Sequence, residues 1–304
     1  MQAVEEASMS KLGFIGLGIM GGPMALNLQK GGYEIFACDM KKVPDALVEG
    51  GAVVCGSARE VAEKADIIFT MLPNTPDVGK VLFGENGVAE GLTPGKIVID
   101  HSSIAPKETR EYAAKINELG CEYIDAPVSG GDVGAQAGTL AIMCGGNQDA
   151  FDRAKPMLDC MGKNVTLVGA NGIGQMTKIC NQIIVGNTIE AVAEALLLAA
   201  RAGADPRKVH AALAGGWADS LVFQNHGKRM IERNFEPGGR IELHRKDLNL
   251  ALAEGYALGV PLPNTATTHA LWNACVGAGG IAWDHSAIIK ALEAMSGFEL
   301  GDEA

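Results

Sequence analysis

The chain has 304 residues, in which 36 acidic and 25 basic side chains leave a formal net charge of −11. A balance this acidic repels nucleic-acid phosphates and anionic lipids, so we expect neither nucleic acid nor a membrane as a partner. A hydrophobic content of 47% with 20% charged residues excludes a disordered chain, and the length favours two globular domains.

Residues 1–10 are predicted to form a flexible extension before the first apolar run. They carry acidic rather than basic side chains, which is unlike a secretory signal. The seven cysteines of the chain are widely spaced and form no CxxC pair, so we expect neither a disulfide framework nor a metal site. Both observations predict a cytoplasmic protein with free thiols.

Residues 11–170 alternate strand-like apolar runs with helical patterns. The strand-like runs are Leu12–Gly16, Glu34–Asp39, Ile67–Leu72, Ile97–Asp100, Glu122–Asp125, Leu140–Cys144 and Asn164–Val168. Helical spacing occupies Met20–Lys30, Ala58–Lys64 and Pro106–Leu119. This alternation predicts an α/β domain built on a doubly wound, mainly parallel sheet.

Residues 171–304 follow a glycine-rich break at Gly169–Gly174 and are predicted to be all-α. The first element is a long apolar helix over Gln175–Ala202, whose interrupting amides and carboxylates a bilayer would penalise. It therefore favours a buried helix that joins the two domains of a soluble protein. Further helical patterns cover Pro206–Leu213, Ser220–Arg233, Arg245–Leu258, Asn264–Val276 and Ser286–Ala294.

A GxGxxG motif follows the first predicted strand and opens the first helix, as dinucleotide-binding loops do. Its residues are Gly16, Leu17, Gly18, Ile19, Met20 and Gly21. Asp39 ends the second strand, where an acid accepts hydrogen bonds from the adenosine ribose hydroxyls. The sequence thus predicts a nicotinamide dinucleotide and favours NAD(H). Lys41 and Lys42 follow Asp39 and leave NADP(H) as an alternative.

Three further loops follow predicted strands. Met71, Leu72 and Pro73 begin the first, and Ser103 closes the second. Ligands of doubly wound sheets bind at the carboxyl ends of the strands, so these loops could edge the nicotinamide. The third contains Ser129, Gly130 and Gly131, whose hydroxyl and backbone N–H groups suit a small carboxylate. Ordinary turn chemistry is the alternative for each loop.

Lys178, Asn181 and Gln182 lie at positions i, i+3 and i+4 of the long helix and therefore share one face. A lysine in so apolar a stretch needs polar partners, because burying an unpaired ammonium costs several kcal/mol. The three side chains are thus a candidate site, with a lysine that reaches solvent near the helix end as the alternative.

These motifs resemble the β-hydroxyacid dehydrogenase family. The resemblance rests on GFIGLGIMGGPMALNL, MLPNTPDV, DHSSIAP, DAPVSGG, the GxGxxxKxxN pattern around Lys178, and RNFEPGGRIELHRKDLNLAL. It extends over about residues 11–297 in order, and the last segment is most similar to the tartronate semialdehyde reductase subgroup. It implies an N-terminal Rossmann domain, an α-helical second domain, a site in the cleft between them, and a dimer or tetramer.

The resemblance also implies roles for single residues. Lys178 is the catalyst, and its amide neighbour is either Asn181 or Gln182. Lys246, in the HRKDL segment, matches a family lysine that reaches the cleft. The dinucleotide is contacted by Gly16–Gly21, Asp39, Leu72, Pro73 and Ser103. The substrate carboxylate is held by Ser129 to Gly131. Gly239 stands where many members of the subgroup have an aromatic residue.

The activity implied is NAD(P)H-dependent reduction of a small anionic 3-oxo acid to a hydroxy acid. Within the family, tartronate semialdehyde giving D-glycerate is the leading hypothesis, and 3-hydroxyisobutyrate or succinic semialdehyde chemistry is the runner-up. A non-catalytic NAD-sensing protein on the same fold is the alternative from another class.

Overall fold

A computed structural model describes residues 10–301 of the chain. The predicted extension over residues 1–10 therefore lies outside the described residues, apart from Ser10. The described chain divides into two compact units, the first ending at Lys178 and the second beginning at Ile179.

The first unit is built on one mixed, mainly parallel sheet. Its strands are β1 (Leu12–Ile15), β2 (Ile35–Cys38), β3 (Val53–Val54), β4 (Ile67–Thr70), β5 (Ile97–Asp100), β6 (Glu122–Asp125), β7 (Val128–Ser129), β8 (Leu140–Gly145) and β9 (Gly162–Gly169). Their order is β3-β2-β1-β4-β5-β6-β8-β7, with β9 beside β8. Pairing is parallel from β3 through β6, and β8 runs antiparallel to both β6 and β7.

Helices cover both faces of this sheet, as the doubly wound prediction requires. They are α1 (Gly21–Lys30), α2 (Asp45–Glu49), α3 (Ala58–Lys64), α4 (Thr75–Phe83), α5 (Val88–Gly91), α6 (Pro106–Glu118), α7 (Gly131–Ala137) and α8 (Gln148–Leu158). Successive strand residues point to opposite faces: Phe14 packs in one apolar cluster with α1, and Ile15 in another with α3, α4 and α6. The predicted α/β class is confirmed.

The segment after Asp125 is more regular than its glycines suggest. Val128–Ser129 forms a strand on β8, and α7 begins directly after Gly130. Gly130 has φ +140° and Gly131 has φ +63°, conformations that an L side chain strains to adopt. Two glycines thus let the chain turn from a strand into a helix without a loop.

The second unit is helical, as predicted. It contains most of α9 (Ile173–Arg201), followed by α10 (Pro206–Leu213), α11 (Lys228–Ile231), α12 (Ile241–Leu258), α13 (Pro263–Gly277) and α14 (Ile289–Ser296). The helix predicted over Ser220–Arg233 is present over residues 221–231 and contains a π-helical turn, Phe223–Gly227, that leads directly into α11. The hydrophobic core of the second unit surrounds Trp272, which is fully buried.

The long helix α9 is only partly buried, which corrects the expectation of a buried helix. By length and composition it could cross a membrane, and 39% of its most apolar 18-residue window is buried. Ile184 is 66% and Leu198 73% exposed. Polar side chains interrupt the sequence of this helix, but they do not cover its whole outer face.

Candidate active site

The glycine-rich loop begins where β1 ends. Gly16 has φ +88°, and a Cβ there would lie 2.4 Å from the Met71 carbonyl oxygen. A Cβ on Gly21 would lie 1.9 Å from the Gly16 carbonyl oxygen, so α1 packs directly on the turn. A Cβ on Gly18 would meet nothing within 4 Å. Gly16 and Gly21 are therefore required by the fold, whereas Gly18 leaves open space at an exposed bend.

Asp39 lies beside this loop, just after β2. Its Oδ2 accepts a hydrogen bond from the Leu17 N–H at 2.7 Å, and its Oδ1 accepts one from the Lys41 N–H at 2.8 Å. The carboxylate is thereby fixed against the glycine loop. Lone pairs on both oxygens still suit ribose hydroxyls.

The loops after β4 and β5 adjoin the same edge of the sheet. Leu72 donates its N–H to Ser102 Oγ at 2.8 Å, and Met71 donates its N–H to the Ile15 carbonyl at 3.0 Å. The predicted residues Met71, Leu72, Pro73 and Ser103 therefore lie at the carboxyl ends of β4, which pairs with β1, and of β5, which pairs with β4. The open space over Gly18 and the acid at Asp39 fit a dinucleotide along this edge.

Buried Asp100 organises the loop that contains Ser103. Its carboxylate accepts hydrogen bonds from Thr70 Oγ1, the Ser102 N–H and the Tyr123 hydroxyl. The same loop contains His101, and burial lowers the pKa of His101 to about 4. Its neutral ring approaches the Ala126 carbonyl at 2.6 Å through Nδ1, which therefore carries the proton. His101 is a poor candidate for proton transfer near pH 7.

Ser129 closes β7 and is half-buried, while Gly130 and Gly131 are exposed. Ser129 pairs with Ala141 of β8, which fixes the direction of the strand just before the two glycines. The predicted carboxylate-holding residues therefore form one junction, held by β8 on one side and by α7 on the other.

Lys178 lies in the second turn of α9 and is 9% exposed. The start of this helix is capped by Asp125, the last residue of β6. Gly172 precedes the helix and has no side chain to cap it, so Asp125 accepts the N–H groups of Gly172 at 2.8 Å and Gln175 at 2.9 Å. Burial raises the pKa of Asp125 to about 6, and these hydrogen bonds oppose the increase.

Asn181 and Gln182 belong to a directed chain of hydrogen bonds in the second unit. Asn181 donates from Nδ2 to Gln182 Oε1 at 2.9 Å, and Gln182 donates from Nε2 to Asp247 Oδ2 at 2.8 Å. Lys246 Nζ lies 3.4 Å from Asp247 Oδ1. The predicted residues Asn181, Gln182 and Lys246 are thus linked through Asp247, a buried carboxylate that the sequence reasoning missed although it adjoins Lys246.

Within residues 10–301, one group of three side chains is close enough to hold a metal ion, namely His226, Asp284 and His285. The Asp284 carboxylate already accepts hydrogen bonds from the backbone of Gly238 and Gly239 and from the N–H and hydroxyl of Ser286. Arg229 also lies 3.6 Å from it, which disfavours a cation. This carboxylate joins two loops.

The ring of His285 covers Gly239. A Cβ on Gly239 would lie 3.0 Å from His285 Cε1, so the histidine occupies the space that a side chain would need. His285 also approaches His244, with 2.8 Å between their Nδ1 atoms. Trp272 is buried and its indole N–H donates to the His285 carbonyl. These three side chains therefore belong to the core of the second unit.

Comparison with known families gives matches on both sides of the glycine-rich break. Residues 11–169 match the NAD binding domain of 6-phosphogluconate dehydrogenase. Residues 172–292 match the family described as NAD-binding of NADP-dependent 3-hydroxyisobutyrate dehydrogenase.

Two relatives match over nearly the whole chain. The 2-hydroxy-3-oxopropionate reductase of Escherichia coli is 54% identical over 95% of this chain and 99% of its own length. The 2-(hydroxymethyl)glutarate dehydrogenase of Eubacterium barkeri is 38% identical over 94% of this chain and 96% of its own.

Solved structures show the same fold. A 3-hydroxyisobutyrate dehydrogenase from Salmonella typhimurium superposes with a TM-score of 0.83 at 34% identity, covering 92% of this chain and 99% of its own. The 3-hydroxyisobutyrate dehydrogenase of Mycobacterium tuberculosis, solved with L-serine, gives a TM-score of 0.85 at 31% identity, with 93% and 99% covered.

Proposed function

Because the chain belongs to the β-hydroxyacid dehydrogenase family, whose members are enzymes that use a nicotinamide cofactor, we propose that it reduces tartronate semialdehyde to D-glycerate. Tartronate semialdehyde is 2-hydroxy-3-oxopropionate, the compound for which the Escherichia coli relative is named.

We also propose that the protein acts in the cytoplasm, since its seven cysteines are free thiols.

The position of Lys178 is the observation that supports this proposal. A buried lysine lies one turn after Gln175, and the Gln175 side chain bonds the loop that carries Ser103. These contacts support Lys178 as an acid–base side chain, because they connect its helix to the loop that carries Ser103, one of the proposed dinucleotide residues.

In the proposed reaction Lys178 donates a proton from Nζ to the carbonyl oxygen of the substrate. When bound, the reduced nicotinamide supplies the hydride that the carbonyl carbon accepts. Negative charge develops on the oxygen in the transition state, so an ammonium aimed at that atom stabilises the transition state more than the ground state. Gln182 lies at i+4 from Lys178, and its tether to Asp247 suits it to hold the lysine, with Asn181 acting through Gln182.

The substrate carboxylate is assigned to Ser129 and the backbone N–H groups of Gly130 and Gly131. Gly130 and Gly131 are exposed and have positive φ angles that only glycine adopts readily, so no side chain covers their backbone N–H groups. Lys246 is assigned a supporting positive charge in a chain whose net charge is −11. This local charge offsets the repulsion between an acidic protein and an acidic substrate.

NADH is the proposed cofactor, with NADPH as the alternative. The Asp39 carboxylate favours ribose hydroxyls and repels a 2′-phosphate. Parallel assays with NADH and NADPH test this preference, and a higher kcat/KM with NADPH would contradict it.

The catalytic role is tested by Lys178→Ala. We expect kcat to fall about 10²- to 10⁴-fold, the range typical of losing a general acid, while the Kd for NADH changes little. Lys163→Ala serves as the control, because Lys163 is an exposed lysine of β9 in the same unit. A Lys178→Ala enzyme with near-normal kcat would overturn the mechanism.

The substrate is tested by comparing kcat/KM for tartronate semialdehyde, succinic semialdehyde and the aldehyde corresponding to 3-hydroxyisobutyrate. We expect tartronate semialdehyde to give the highest value. A higher value for either of the others would reassign the substrate within the family, and inertness across the panel would favour a cofactor-sensing role.

A further inference from the structure

We propose that Gln175 is a positioning residue, which fixes Lys178 relative to the cofactor-side loop Ser102–Ile104. The inference rests on the proposed function, since it takes Lys178 as the proton donor and Ser103 as a neighbour of the nicotinamide. No motif in the sequence marks Gln175 for this role, and the contacts that define it join residues more than 70 positions apart.

The Gln175 amide bonds the chain on both sides of Ser103. Its Nε2 donates to the Ser102 carbonyl at 2.7 Å, and its Oε1 accepts from the Ile104 N–H at 3.2 Å. Gln175 is 1% exposed, so water cannot replace either bond at low cost. One side chain therefore holds the two peptide groups that flank the predicted cofactor residue.

The start of the helix that carries Gln175 is held firmly against the ends of the strands. Asp125 accepts the Gln175 N–H, so the backbone and the side chain of one residue bond two different strand ends. A Cβ on Gly174 would lie 2.4 Å from the Met143 carbonyl oxygen and 2.7 Å from Asp125 Oδ2. The helix start is thus packed against β6 and β8 at backbone distance.

The opposite end of the connection is equally fixed. Ser102 Oγ accepts the Leu72 N–H, and Asp100 accepts the Ser102 N–H at 3.0 Å. The loop that receives the Gln175 amide is therefore tied to the carboxyl ends of β4 and β5. A displacement of this loop is passed to α9 through Gln175.

Lys178 follows Gln175 at i+3, on the adjoining turn of the same helix face. Fixing Gln175 consequently fixes the base of the lysine side chain. Misplacement of a reacting group by about 1 Å costs on the order of 100-fold in rate. Loss of the Gln175 amide should therefore reduce the rate of the chemical step more than it weakens binding.

The test compares Gln175→Met with wild type. Methionine keeps the length of the side chain and removes both hydrogen bonds. We expect kcat to fall about 10- to 100-fold, with the Kd for NADH and the substrate KM changed less than about 3-fold. The deuterium isotope effect on kcat with [4,4-²H₂]NADH should increase, because the chemical step becomes slower than product release.

Two further variants separate positioning from folding. Gln29→Met makes the same substitution at a half-buried amide, which donates to the Leu47 carbonyl between α1 and α2, and should leave kcat and the isotope effect within about 2-fold of wild type. Gln175→Glu keeps the acceptor for the Ile104 N–H but turns an oxygen towards the Ser102 carbonyl. Its kcat relative to wild type should rise as the pH is lowered, because a protonated carboxyl donates again.

A measurement without turnover completes the test. NADH binding should slow hydrogen exchange of the amides of residues 175–179 in wild type, and this protection should be lost in Gln175→Met. If the isotope effect and the protection in Gln175→Met equal those of wild type, the inference is wrong. If wild type reduces none of the aldehydes, the proposed function fails, and the exchange experiment still decides whether Gln175 links the loop to the helix.

Discussion

Two glycines of the GxGxxG motif are needed for different reasons. Gly21 is required by the fold, because any Cβ there would overlap the Gly16 carbonyl at 1.9 Å. Gly18 has no neighbour within 4 Å of a Cβ, and its backbone is not in the left-handed region. The open side of Gly18 therefore suits a cofactor that approaches the backbone closely.

Alanine at these two positions should separate folding from binding. Gly18→Ala should leave the Tm within about 2 °C of wild type and raise the Kd for NADH at least about 10-fold, because the methyl group meets the pyrophosphate. Gly21→Ala should lose several kcal/mol of stability, on the order of a severe core clash. Thermal melts measure the stability of both variants, and fluorescence titration measures their Kd for NADH. Unchanged NADH binding by Gly18→Ala would contradict the assignment of the glycine-rich loop to the dinucleotide.

The first turns of α9 illustrate how one buried carboxylate can determine the position of a helix. Asp125 is the last residue of β6, and it accepts the Gly172 N–H at the start of α9. Because Gly172 and Gly174 have no side chains, the backbone of α9 can approach the strand ends closely. A larger residue at Gly174 would displace the helix that carries Lys178. The cap is charged and buried, so it makes the stability of the first unit depend on pH.

Asp125→Asn should reveal this pH dependence. Burial raises the folded-state pKa of Asp125 to about 6, above its ordinary value near 4. The stability contributed by the protonated carboxyl is complete below about pH 4 and is lost as the pH rises through about 6. The free energy of unfolding of wild type minus that of Asp125→Asn should therefore fall by on the order of 3 kcal/mol between pH 4 and pH 7.

Denaturant titrations at several pH values measure this difference. Asp45→Asn is the control, because Asp45 is an exposed carboxylate paired with Lys42. A constant difference between wild type and Asp125→Asn across this pH range would show that the Asp125 carboxyl has an ordinary pKa.

Exposed apolar side chains are concentrated in the second unit. Trp217 is fully exposed, and Leu221, Leu198 and Ile184 are 83%, 73% and 66% exposed. Large apolar side chains in such numbers on one unit are typical of surfaces that another chain covers. We therefore expect a homodimer or a homotetramer.

Sedimentation velocity should give a mass at least twice that of one chain. Leu198→Glu should shift the equilibrium towards monomer, because an exposed leucine tolerates a charge in the monomer but not in an interface. Leu119→Glu, at an exposed leucine of the first unit, should leave the mass unchanged. A monomeric wild-type protein at micromolar concentration would contradict this prediction.

Local patterns in the sequence predict much of this molecule. Four elements have the predicted bounds, namely Ile97–Asp100, Glu122–Asp125, Ala58–Lys64 and Pro206–Leu213. Their apolar patterns and their flanking turn residues are encoded within a few positions of the sequence. The GxGxxG motif and Asp39 were also identifiable, since their spacing reflects a single strand, turn and helix. Short strands such as Val53–Val54 were not, because two residues carry no period.

The contacts between distant strand ends could be found only in the folded chain. Asp125 caps a helix 47 positions later, and Gln175 bonds a loop more than 70 positions earlier. Neither contact produces a periodic pattern in the sequence. Each depends on the register of the strands and on glycines that allow two backbone segments to approach closely. Local patterns were therefore enough to predict the fold class and to identify Lys178 as the catalytic candidate. The folded chain determined which buried amide and which buried carboxylate fix the helix that carries it, because hydrogen bonds between distant segments exist only once the sheet has formed.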